Sequence, residues 1–126
     1  VGNLPHAMTS GEFVDFVKTF FGLSSLPVAG TLPDRIERVA FCSGAGTEFL
    51  PIARQAGAQV FITGDVTYHV ALDAAQTGGC IAIVDHYNTE KFFGRAMEEL
   101  LRSNPGNQEL PPVYLSQENY QPVHLW

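Results

Sequence analysis

Phe13, Val14, Phe16, Val17, Phe20 and Phe21 recur at the spacing of one helical face, and Gly22 ends the run. Thr9 and Ser10 stand just ahead as candidate N-caps, so the pattern predicts an amphipathic helix. Beyond it the pattern changes to short apolar runs joined by glycine turns. Residues 36–42 become apolar toward their end, Ser43-Gly44-Ala45-Gly46 breaks the strand, and Thr47 is placed to cap a helix through Arg54. Residues 59–63 carry Val60, Phe61 and Ile62 as a buried strand; Gly64-Asp65 ends it, and residues 66–76 have helical character before Gly78-Gly79. A third unit follows: a buried strand over 80–84, Asn88 as a cap, then Phe92, Phe93, Ala96, Met97, Leu100 and Leu101 on one helical face. Residues 103–107 read as a loop, 113–115 as a last strand, and 1–5 as a linker.

Alternating strands and helices with tight glycine turns predict a single α/β domain over 1–126, its sheet of mostly parallel strands covered by helices. In open sheets of this kind ligands collect beyond the carboxyl ends of the strands. Ser43-Gly44, Gly64-Asp65 and Asp85-His86 all fall just past such ends, so three polar turns should converge.

With 126 residues and 45% hydrophobic positions, the chain has enough apolar side chains for one ordinary core, which excludes disorder. A formal charge of -6 with no basic cluster excludes nonspecific nucleic-acid binding and attraction to anionic membranes. Cys42 and Cys80 lie in apolar, strand-like runs, and neither a secretory signal nor a long apolar stretch is present, which fits a reducing, cytoplasmic setting. A chain opening on Val1 and a linker-like run is expected to be a fragment.

The sharpest chemical signal is Asp85-His86-Tyr87-Asn88-Thr89-Glu90, where a buried strand runs directly into an Asp, a His and a Glu. His86 and Glu90, four residues apart entering a helix, can aim an imidazole nitrogen and a carboxylate at one cation. The competing reading makes Glu90 a first-turn carboxylate facing the helix dipole and His86 merely hydrogen-bonded. Asp65 and His69 repeat the spacing after the preceding strand, with the alternative that Asp65 is an N-cap and His69 a satisfied core residue. Ser43, Gly44 and Gly46 form a turn whose amides can cradle an anion, although it lacks the third Gly of a dinucleotide fingerprint and the Lys of a P-loop. A tight structural turn is the plainer reading. His6 and His124 have no partner in sequence.

Taken in order, Cys-Ser-Gly-Ala-Gly at 42–46, Thr-Gly-Asp-(two residues)-Tyr-His at 63–69 and Asp-His-(two residues)-Thr-Glu at 85–90 resemble the NIF-three-like proteins, also called GTP cyclohydrolase 1 type 2 homologues. Residues 39–90 match the carboxyl-terminal half of that family. The resemblance implies one half of a two-half α/β fold, cytosolic, with a pair of divalent metals (Zn, Mn or Fe) between the halves and ring-like homo-oligomers. It makes His86 and Glu90 metal ligands, with Asp65, His69 and Asp85 lining the same cleft. The family's other ligands, an adjacent His pair and an Asp, belong to the amino-terminal half, and no His-His pair occurs here. Asp85 stands where the family has Gly. The implied chemistry is metal-dependent hydrolysis of GTP or another purine nucleotide, with ring opening and formate loss. The alternative is a noncatalytic module for a protein partner or for assembly, with Trp126 among its exposed aromatic residues.

Overall fold

The computed structural model describes residues 1–103, 111–118 and 120–123. Elements follow in the order β1 (Gly2–Thr9), α1 (Ser10–Phe21), β2 (Val28–Gly30), β3 (Arg35–Cys42), a single 3-10 turn (Thr47–Phe49), α2 (Leu50–Gln55), β4 (Val60–Thr63), α3 (Tyr68–Gln76), β5 (Cys80–Ile83), α4 (His86–Glu90) and α5 (Phe93–Ser103). The five strands form one sheet in the order β1-β3-β4-β5-β2.

Its centre is parallel, as the apolar runs and glycine turns predict. Cys42 pairs with Thr63, and Thr63 with Ile83, so β3, β4 and β5 end level with one another. The loops that follow all three strands therefore leave from one edge. The two outer strands are antiparallel, β1 on β3 and β2 on β5, which corrects the expectation at the sheet's margins. Residues 2–5, expected as a linker, belong to β1; Pro5 is tolerated there because an edge strand has one unpaired side.

Alternation decides which helix covers which face. Val60 and Ile62 join Phe13, Val17 and Phe21 of α1 in one buried cluster, whereas Phe61 and Ile81 point the other way, to Ala53 of α2 and Ala74 of α3. Phe13 and Val17 are essentially inaccessible, and burial of each contributes about 1.5–3 kcal/mol. Helix α1 is closed by a capping box between Thr9 and Glu12 and by Gly22 in the left-handed conformation, φ 71°.

Three boundaries differ from expectation. Thr47 opens a 3-10 turn without a side-chain cap, and α2 starts only at Leu50, with Pro51 in its first turn. Thr67, not Asp65, caps α3. Asp85, not Asn88, caps α4, because Asp85 Oδ1 accepts from the Asn88 amide at 2.8 Å. Residues 113–115 form no strand. The helical face predicted on α5 is present, but no α5 residue is buried and Phe93 and Leu100 are 67% and 63% exposed. Residues 104–107 of the expected loop, with Asn119, His124 and Trp126, lie outside the described residues. No helix among the described residues is long and apolar enough to cross a membrane.

Candidate metal centre

The three turns beyond β3, β4 and β5 meet. Gly44 O accepts the amides of Gly64 at 2.9 Å and Asp65 at 3.1 Å, together with the Thr63 hydroxyl at 3.1 Å. The Gly44 amide donates to Thr89 Oγ1 at 2.9 Å, and that hydroxyl donates to His86 O at 2.8 Å. One carbonyl and one threonine thus tie the first turn to the other two. Thr63 and Thr89 are the buried polar side chains among the described residues, and nothing in their spacing marked them as functional. Both fall inside the motifs at 63–69 and 85–90, where the carboxylates and histidines beside them drew the functional reading. Gly44 has φ 61°, which favours glycine, and a Cβ there would lie 2.7 Å from Glu90 Oε1 and 3.2 Å from His86 Cε1, so any side chain would displace the ends of those two groups.

His86 sits between two carboxylates. Its Nδ1 is 2.7 Å from Asp65 Oδ2, and its Nε2 is 3.3 Å from Glu90 Oε2. The sequence paired Asp65 with His69; the parallel β4–β5 register brings it to His86 instead. A carboxylate on Nδ1 fixes that nitrogen as the donor and turns Nε2 toward Glu90. An Nε2 lone pair facing a carboxylate oxygen at this range needs a proton or a cation between them. Accordingly the imidazole pKa is raised, first by the Asp65 hydrogen bond and next by the Glu90 charge. The donors also fit a metal. With ligand distances of about 2.0–2.2 Å, two corners of a tetrahedral Zn²⁺ shell stand about 3.4 Å apart, close to the observed gap. They do not complete one: among the described residues no group of three or more His, Cys, Asp or Glu side chains is arranged to hold a metal ion.

The remaining candidates are placed as follows. Asp85 has φ 45° and ψ 159°, the one positive-φ residue other than glycine among those described. Its carboxylate accepts from the Asn88 amide and from Asn88 Nδ2 at 2.6 Å, and from Gln121 Nε2 at 3.0 Å. His69 is exposed on α3 with its ring edge-on to Tyr68 at 5.6 Å, and it does not line the cavity at the site. The Gly44 and Gly46 amides, candidates for an anion cradle, donate to Thr89 and Thr63 hydroxyls, so the turn uses them internally. Ser43, Asp65, Asp85, His86, Glu90 and Phe41 are among the residues lining an open cavity of about 1480 Å³. His6 is exposed on β1, away from it.

Known proteins resemble this chain in sequence and in fold. Residues 1–122 match the family model described as Duf34/NIF3 (NGG1p interacting factor 3). A Staphylococcus epidermidis protein named GTP cyclohydrolase 1 type 2 homolog is 33% identical over 97% of this chain, and one of the same name from Halalkalibacterium halodurans is 38% identical over 80%. The chain spans only 33% and 27% of their lengths. Among solved structures, a Staphylococcus aureus hypothetical protein superposes with a TM-score of 0.86 at 28% identity, over 98% of this chain and 41% of its own. A Bacillus cereus protein related to NIF3 gives 0.67 at 31% identity, over 81% of this chain and 29% of its own. With the family model spanning nearly its whole length, this chain belongs to the Duf34/NIF3 family.

Proposed function

We propose that the chain contributes His86 and Glu90 to a divalent-cation site, as the carboxyl-terminal half of a longer or assembled protein, and that the completed site hydrolyses GTP or a related purine nucleotide. The observation that carries this reading is the imidazole held between Asp65 and Glu90, with an Nε2 to Oε2 gap of 3.3 Å. His86 Nε2 and a Glu90 oxygen would hold the cation. Asp65 would keep the imidazole in the required tautomer, and the Gly44 turn would keep both side chains facing the cavity. Bound there, Zn²⁺, Mn²⁺ or Fe²⁺ would supply Lewis acidity. The remaining donors would come from a second half or a second copy, in keeping with two relatives about three times as long. The substrate class follows the relatives' name, GTP cyclohydrolase 1 type 2 homolog. A cytosolic setting goes with this reading, since Cys42 and Cys80 are free thiols. The experiment is to supply GTP to the assembled, metal-loaded protein and measure formate. Release that disappears in His86→Ala is expected, and no release from metal-loaded protein contradicts the activity.

One observation favours a second reading, an assembly or protein-interaction module. Helix α5 leaves Phe93, Met97 and Leu100 exposed along one face, more apolar surface than a helix usually leaves to water. Sedimentation velocity decides it: association that is weakened by Leu100→Lys supports this reading, and a monomer at all concentrations opposes it.

A further inference from the structure

The two cation-facing side chains account for a small part of the cavity they line. Phe41 and Phe92 line it as well, with 50% and 41% of their surfaces exposed. Neither is loosely held. Both rings rest on buried Phe21, with centroids 6.1 Å away in each case, Phe41 nearly parallel at 24° and Phe92 inclined at 61°. Phe20 braces Phe92 from another side at 5.7 Å. The Lys91 ammonium lies 5.3 Å from the Phe92 centroid and is fixed by Phe21 O at 2.5 Å and Asn88 Oδ1 at 2.8 Å. Phe41 is also the penultimate residue of β3, at the strand edge where ligands of parallel sheets collect.

Rings braced by their neighbours and about half exposed at the cavity form a preorganised apolar surface, with the Lys91 ammonium over one face of Phe92. In the same cavity stand the His86 imidazole and the Glu90 carboxylate, placed to face one cation. A ligand that fits both has a flat, weakly polar ring at one end and a cation-coordinating group at the other. We propose that Phe41 and Phe92 form a stacking surface for the planar heteroaromatic base of a nucleotide whose other end is held at the His86–Glu90 cation. The proposal rests on the function proposed above for the cation end and stands separately for the ring end. Stacking on aromatic side chains tolerates different bases because every base has a π-face, so the surface selects for a ring before it selects among rings.

Calorimetric titrations with guanosine, GTP, inorganic triphosphate and Mn²⁺ separate the two ends. Guanosine carries the ring alone, and triphosphate carries the cation-seeking end alone. Phe41→Leu and Phe92→Leu, which keep apolar volume, should each weaken guanosine and GTP about tenfold while leaving Mn²⁺ and triphosphate binding unchanged. Phe41→Tyr keeps the ring and should bind guanosine as the parent does, which guards against a leucine variant that folds poorly. Guanosine failing to bind the parent, binding both leucine variants undiminished, or being lost equally in Phe41→Tyr overturns the proposal. Failure of the cation reading looks different: Mn²⁺ is not bound, and guanosine binding still depends on Phe41.

Discussion

His86 donates through Nδ1 to Asp65 and turns Nε2 to Glu90, so a proton and a cation compete for the same nitrogen. Because the folded pKa is raised above the ordinary 6.5, protonation stabilises the metal-free fold; that contribution is complete below pH 6.5 and is lost as pH rises through the higher folded value. Cation affinity should move the opposite way, rising with pH through the same window, as titrations at several pH values will show. Asp65→Asn removes the carboxylate that orients the ring and should weaken Mn²⁺ or Zn²⁺ about 10–100-fold without unfolding the chain. Asp85 offers a test of strain. Alanine there loses the carboxylate's hydrogen bonds and keeps the disfavoured backbone, whereas glycine loses the same bonds and relieves the backbone. Urea unfolding should therefore find Asp85→Ala less stable than Asp85→Gly by about 1–3 kcal/mol. At this scale the His86–Glu90 pair was legible, because four-residue spacing into a helix is a local property. Asp65 was legible as a nearby carboxylate but not as the partner of His86, since strand register supplies that contact. The equally spaced His69 shows how little spacing settles alone: its helix begins at Tyr68 and turns the ring to solvent.

The turns after the central strands act as one element, welded through the carbonyl and the amide of Gly44. A Cβ at Gly64 would lie 2.8 Å from Gly44 O and 2.9 Å from the His86 Cα, both backbone atoms that cannot swing aside. Gly64→Ala should therefore destabilise the fold and abolish cation binding together, whereas Gly11→Ala, with nothing within 4 Å, should leave both intact in a thermal melt and a titration. The strand-turn-helix units around these turns were readable because short apolar runs closed by glycine look alike wherever they occur. The outer strands were not. β1 carries Pro5 and His6 with little alternation, and β2 has three residues; each is a strand only because a distant neighbour, β3 or β5, offers hydrogen bonds. The Thr9 cap of α1 was readable, but the cap of α4 was not. Asp85 displaced Asn88 as the cap of α4 because the chain leaves β5 in a left-handed step that sequence periodicity does not record.

At the scale of the molecule, strands ending level place three polar turns on one edge, and helices on both faces leave that edge open. Parallel order and convergence followed from the alternating pattern alone. The completeness of the site did not, because a chain spanning about a third of its relatives can show only the donors it carries. The central claim is that His86 and Glu90 grip one cation, with Asp65 behind the imidazole. Anomalous scattering from Zn²⁺-loaded crystals tests it most directly. A zinc peak is expected about 2.0–2.2 Å from both His86 Nε2 and a Glu90 carboxylate oxygen, with Asp65 still bonded to Nδ1. Zinc bound elsewhere, or no zinc at all with those two side chains free, would contradict it.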